Sequence, residues 1–296
     1  MTDEVGPLPD LIRLRSAGLT ASINTFGAEL TSLRDAGGRE LMTDADPAFW
    51  TGHAPILFPI VGRLNDDVLR VDGREYRMKQ HGFARRQTFS PVARDDASVT
   101  LRLSANEETR AIYPFDFVLD VHFSIAGATL AIEARIANPG AVPLPASFGF
   151  HPAFAWPLPY GRPRDAHRIV FADDVPEPVE RLAEGLIAGD RPSPLNGRTL
   201  HLADDLFADD ALIWNPVRSQ SVTYGADHGP QLRVDFPDTP QLGVWTKPGA
   251  HFVCIEPWHG HADPQGFTGE FRDKPGVFKV APGRERRCTI AITLER

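Results

Sequence analysis

The sequence predicts an all-β protein, a large antiparallel β-sandwich with few short helices. Apolar and polar residues alternate with period two over many short runs, and an apolar period of 3.6 is nearly absent. Glycine and proline, 25 and 27 of 296 residues, recur often enough to end most of these runs in turns. Many short strands separated by turn residues are the pattern of a sandwich. Such folds run past roughly 200 residues as one domain, so residues 1–296 are expected to form a single domain.

The chain opens with three β-like runs, Leu11–Arg15, Thr20–Thr25 and Leu30–Leu33, separated by Ala-Gly, Phe-Gly and Gly-Gly breakers. In Val68–Arg77, Asp72-Gly73 stands between two runs, the signal of a type I′ hairpin. The plainest alternation sets Phe117, Leu119, Val121, Phe123 and Ile125 against Val118, Asp120, His122 and Ser124. After Gly127 it resumes as Leu130, Ile132, Ala134 and Ile136, so the two runs are expected to pair as an antiparallel hairpin. Cys288–Glu295 closes the chain with period two after a Pro282-Gly283 turn. Helical signal is confined to Glu107–Arg110 and to Glu177–Leu186, expected as a short surface helix. Pro157–Pro194 reads as a long excursion of loops and isolated strands rather than a linker.

With 39 acidic and 31 basic residues the net charge is −8, and no segment supplies the basic face that nucleic acid or an anionic membrane requires. The expected partner is a small molecule. No apolar run is long enough to span a bilayer, and Met1–Pro7 lacks the basic head and apolar core of a leader. The two cysteines, Cys254 and Cys288, lie in apolar runs and read as buried free thiols. These features lead to the expectation of a cytoplasmic protein.

Chemistry centres on His251–Gly260. Phe252–Ile255 suits a strand buried on both faces, and Pro257 cannot donate to a ladder, so pairing is expected to stop there with Glu256 at the strand mouth. A carboxylate between a dry core and Trp258 gains proton affinity and becomes a general-base candidate; the alternative is a buried acid paired with a basic residue. His151, between phenylalanines and followed by Pro152, is expected to be half-buried and to titrate near neutrality as an acid or donor. The alternative is a core histidine held by a backbone carbonyl. In Lys79–Arg85, Gly82 permits a turn that frees His81 and Arg85 to point into one cleft, or into solvent. Arg63 follows an apolar run and can hold hydroxyl or ring oxygens with its planar fork, or form a salt bridge to a nearby acid. Asp209 and Asp210 precede the apolar run ending at Trp214, as loop acids of which one need face a ligand. A zinc reading of His251, His259 and His261 lacks a carboxylate or cysteine at familiar spacing, so no metal is expected. No Gly-x-Ser-x-Gly elbow and no glycine-rich nucleotide cradle is present.

In their order, Leu57–Leu64, Gln80–Arg85, Phe148–Phe154, Asp210–Trp214 and Cys254–Glu256 resemble the aldose 1-epimerase (galactose mutarotase-like) family, and within it the bacterial LacX-like branch. The resemblance runs from about Leu11 to the C-terminus, including Phe26–Leu33 and the stretch from Lys274-Pro-Gly276 to Pro282-Gly283. It implies a β-supersandwich whose concave face binds a monosaccharide, with no cofactor. It also implies that Glu256 takes the proton of the C1 hydroxyl and that His151 protonates the ring oxygen from the opposite side of C1. Arg63, His81 and Asp210 would hold hydroxyls and the ring oxygen. Two departures leave the sugar open: Phe150 stands where the well-studied mutarotases place Asn before the histidine, and Ile-Glu-Pro-Trp replaces their Glu-Thr-Gln. His81–Arg85 is shared with the hexose-6-phosphate branch, in which Arg85 and Arg86 would meet a phosphate. A non-catalytic carbohydrate-binding protein on the same fold is the alternative from a different class.

Overall fold

The computed structural model describes residues 10–296; Met1–Pro7, where no leader was expected, lies outside them. Two large antiparallel sheets dominate. One has nine strands in the order Thr199–His201, His167–Phe171, Ser221–Ala226, Gln231–Asp235, Glu285–Glu295, Thr129–Ala137, Val118–Ala126, Ser98–Ser104 and Ser90–Arg94. The second runs Leu186–Arg191, Val179–Ala183, Leu212–Trp214, Gln241–Trp245, Phe252–His259, Phe148–Phe150 and Ile56–Leu57, with Ala153–Ala155 also paired to Phe252–His259. The opening runs form a three-stranded sheet of Leu11–Arg15, Leu19–Asn24 and Glu29–Asp35.

Alternation sets the register. Leu130 pairs with Ile125 and Ile132 with Phe123, which puts the apolar set of both strands on one face, as the sequence predicts. That face meets Ile56, Phe150, Phe154, Val253 and Ile255 of the second sheet in one continuous apolar cluster extending from Ile12 to Leu294. Asp72 and Gly73 both have positive φ, the type I′ geometry their sequence calls for, between Val68–Val71 and Arg74–Arg77. Among the described residues there is one α-helix, Glu107–Ile112, capped at Asn106.

Three expectations need correction. Glu177–Leu186 is not a helix. Val179–Ala183 and Leu186–Arg191 are strands joined at Glu184 and Gly185, both at positive φ, and Glu180 pairs across to Ile213. The two-residue Glu-Gly turn and the sheet edge beyond it outweigh a weak local helical preference. The strands of the Pro157–Pro194 excursion are likewise not isolated, for they extend both large sheets. Nor does pairing stop at Pro257, because the strand continues to His259 with Leu242 opposite Pro257. Ile255 donates its N–H to Pro152 O at 3.2 Å, and by alternation the nitrogen of Pro257 faces the same side. There the neighbouring strand is interrupted between Phe150 and Ala153, so the missing donor removes no ladder bond. Glu256 is therefore within a strand, not at its mouth.

Candidate active site

The strand Phe252–His259 has two unlike faces. Val253 and Ile255 enter the main core, while Phe252, Cys254 and Trp258 belong to separate apolar clusters on the other side, where Glu256 also points. Over that side lies a cavity of about 520 Å³, lined by Trp50, His81, Arg85, His151, Asp210 and Glu256 among others. Its size is within the roughly 300–1,000 Å³ of small-molecule sites. A smaller hollow of about 280 Å³ near Phe115 and Val142 also carries charged groups, but there Arg272 is committed to Asp72 and Glu270 and Lys279 to Asp273.

His151 occupies the gap between Phe148–Phe150 and Ala153–Ala155, where the chain leaves one pairing with Phe252–His259 and resumes another. This break swings the imidazole over the strand that carries Glu256, and His151 Nε2 lies 3.1 Å from Glu256 Oε2. Both side chains are buried, at 7% and 2% exposure. The ring is stacked on Trp50 (centroids 5.0 Å apart, 29° between planes) and met edge-on by Trp245 and His81. Burial pushes the Glu256 carboxyl well above the usual carboxylate range, helped by the nearby Asp210 charge and opposed by the Trp258 indole. Burial also lowers His151 to about 3, with Arg85 acting in the same sense. The expectation of a histidine titrating near neutrality is therefore corrected. A dry pocket favours the neutral form of each group, so the pair carries one proton with its seat on Glu256. The two groups also touch directly instead of facing each other from opposite sides of a sugar-sized gap.

His81 is fixed by its backbone. Its φ is +65°, rare for a residue with a side chain. Its N–H donates to Gly62 O, and Gly62 N–H donates back to His81 Nδ1 at 3.1 Å. The returned bond makes Nδ1 an acceptor, so in the neutral ring the proton is on Nε2. Burial, His151 and then Arg85 keep that ring neutral. Gly82 is required beside it, since at φ +70° a Cβ would stand 2.2 Å from Phe58 O. Arg85, on the Ala84–Arg86 turn, is half-buried and has no carboxylate partner among the described residues; burial lowers its pKa. Asp210 lines the cavity at φ +71°, its Oδ1 accepting from Ala211 N–H at 2.8 Å, whereas Asp209 is absent from the lining.

Arg63 is not brought to this group. Its Nε donates to Asp67 at 2.9 Å and its Nη1 to Glu184 O at 3.1 Å, which is the acid-neighbour alternative of the sequence reading. Trp50 and Trp245 are site residues that the sequence reading missed. Trp50 lies outside any strand, and its one local signal is the scarcity of tryptophan, five in the chain. Histidines 259 and 261 make other contacts, His259 with Arg286 and the Phe278 ring, His261 with Ala262 O.

A family model of aldose 1-epimerase matches residues 10–278. The chain belongs to the aldose 1-epimerase family. It is 32% identical to the chromosomal protein LacX of Lactococcus lactis subsp. lactis over 295 residues, covering 96% of this chain and 99% of that protein. It superposes with a TM-score of 0.90 on a galactose mutarotase related enzyme from Lactobacillus acidophilus, at 30% identity over 97% of this chain and 98% of that one. A galactose mutarotase-like protein from Lactobacillus casei follows at 0.89 and 28% identity, covering 97% of this chain and all of that one (100%). The all-β fold of this epimerase family member is thus galactose mutarotase-like, as the motif order implied. Among its described residues no helix is long and apolar enough to cross a membrane.

Proposed function

We propose that this protein is an aldose 1-epimerase that interconverts the α and β anomers of a monosaccharide without a cofactor. The observation that carries the reading is the buried Glu256–His151 contact on the floor of a cavity also lined by His81, Arg85 and Asp210. Ring opening removes a proton from O1 and adds one to the ring oxygen as the C1–O5 bond breaks and an aldehyde forms. The shared proton first passes from Glu256 to His151 across their contact; the carboxylate so freed takes the proton of O1, and the imidazolium gives its own to the ring oxygen. Rotation about C1–C2 and the reverse transfers then yield the other anomer. The pair holds one proton throughout and only its seat changes, so the buried site never gains net charge. Direct contact at 3.1 Å lets that proton return between turnovers. Nε2–H of His81 donates to a sugar oxygen, and Asp210 accepts from a hydroxyl.

A second reading, an aldose phosphate as substrate, is favoured by one observation. Arg85 is half-buried in the cavity wall with no carboxylate partner among the described residues, and Lys247 stands nearby at the rim. An arginine that no carboxylate contacts, with Glu29 acting on it only through space, fits a phosphate.

NMR exchange between anomers across a panel of aldoses and aldose phosphates tests both readings. Accelerated exchange for at least one sugar is expected, and unchanged exchange across the panel would refute catalysis. Saturable sugar binding that survives Glu256→Gln, with no rate in the parent protein, would identify a carbohydrate-binding protein instead.

A further inference from the structure

Cys254 plays no part in the chemistry above, yet it stands two residues before Glu256 on the same face of the strand. One ligand atom each from His151, Cys254 and Glu256 lie within 4.8 Å of one another, and all three residues are buried. Among the described residues this is the grouping of three that could hold a metal ion. His151 Nδ1 is also buried and makes no hydrogen bond of good geometry among the described residues.

We propose that His151, Cys254 and Glu256 form a site for a soft divalent cation of the zinc class, and that filling it stops the acid/base pair from working. An imidazole, a thiolate and a carboxylate are the donor types zinc takes, whereas magnesium and calcium avoid sulfur. Zinc bonds of about 2.0–2.3 Å set ligand atoms of a tetrahedral centre roughly 3.3–3.7 Å apart. The His151–Glu256 contact of 3.1 Å and the 4.8 Å limit bracket that range, so side-chain shifts of about 1 Å complete the centre. Charge selects the valence, since a dication with one thiolate, one carboxylate and a neutral imidazole is neutral overall, as a buried site demands. Binding releases two protons to solvent, one from the Cys254 thiol and the one held by the Glu256–His151 pair. The fourth position opens to the cavity, where water or a sugar hydroxyl completes the shell. The metal then occupies the lone pairs that ring opening needs.

The inhibitory half of this proposal rests on the epimerase reading, whereas the metal site does not. Cobalt(II) is titrated into the full chain as a spectroscopic probe. Expected are one equivalent bound, a near-ultraviolet thiolate-to-cobalt band, and displacement by zinc. The band should persist in Cys288→Ala, which removes the other free thiol, and vanish in Cys254→Ala with zinc affinity down at least about 10-fold. Zinc should slow anomer exchange in the parent protein and leave Cys254→Ala, whose metal-free rate is unchanged, unaffected. If Cys254→Ala does not fold, Glu256→Gln serves instead, with the thiolate band retained and affinity lowered. Absence of the band in the parent, its survival in Cys254→Ala, or equal competition by magnesium overturns the proposal. A cobalt band in a protein with no epimerase activity on any sugar would uphold the site and refute the proposed function.

Discussion

The shared proton makes a quantitative prediction about coupling between His151 and Glu256. Glu256→Gln keeps the size and planarity of the side chain but cannot exchange a proton, and His151→Asn similarly removes the imidazole. A positioned acid or base contributes about 10²–10⁴ in rate, so each single variant should lose about 2.7–5.5 kcal/mol of transition-state stabilisation. Were the two groups independent, the double variant would lose roughly 10⁴–10⁸. They touch at 3.1 Å and carry one proton between them, so removing either leaves the other with nothing to give or receive. The double variant should fall within about 10-fold of the worse single variant. The assay is NMR anomer exchange at enzyme concentrations high enough to stand above spontaneous mutarotation, with thermal melts to show that all variants fold. Multiplicative losses, or a Glu256→Gln variant within a few-fold of the parent, would refute the shared-proton mechanism.

The two arginines named from the sequence should separate. Arg63→Ala, at a half-exposed pair with Asp67, should leave kcat/KM within about 2-fold, whereas Arg85→Ala should cost an aldose phosphate about 10–100-fold in kcat/KM; equal effects would contradict the geometry. The kcat profile should stay flat as pH falls through about 6.5, where a free histidine titrates, because His151 accepts a second proton only near 3; an acid limb near 6.5 would count against the depressed imidazole. Stability should behave differently: His259 and His261 are held down to about 4, so below about 6.5 the unfolded chain binds protons first and the melting temperature falls as pH drops toward 4. Gly243→Ala would set a Cβ 2.5 Å from the Trp258 ring, and urea unfolding should register a loss of about 1–3 kcal/mol with a raised KM as the indole moves into the cavity; a neutral effect would mean that the ring has room to shift.

What the sequence determined by itself was whatever depends on neighbours in the chain. Alternation from Phe117 to Ile136 specified two strands, their pairing and their buried face, since slipping by one residue would turn every apolar side chain to water. Asp72-Gly73 specified its turn because few dipeptides accept two positive φ angles in succession. The order of short motifs identified the family, and Glu256, His151, His81, Arg85 and Asp210 do line one cavity. Tertiary structure decided the rest. Whether Val179–Arg191 coils or pairs depended on the strand at Leu212–Trp214, and whether Pro257 ends a strand depended on a gap in a neighbour far away in the chain. Arg63 followed an acid four residues on instead of the cavity. The His151–Glu256 contact, and with it the seat of the proton, exists because two distant segments share one sheet and exclude water there. Burial is set by the whole fold, so no local pattern carries that information.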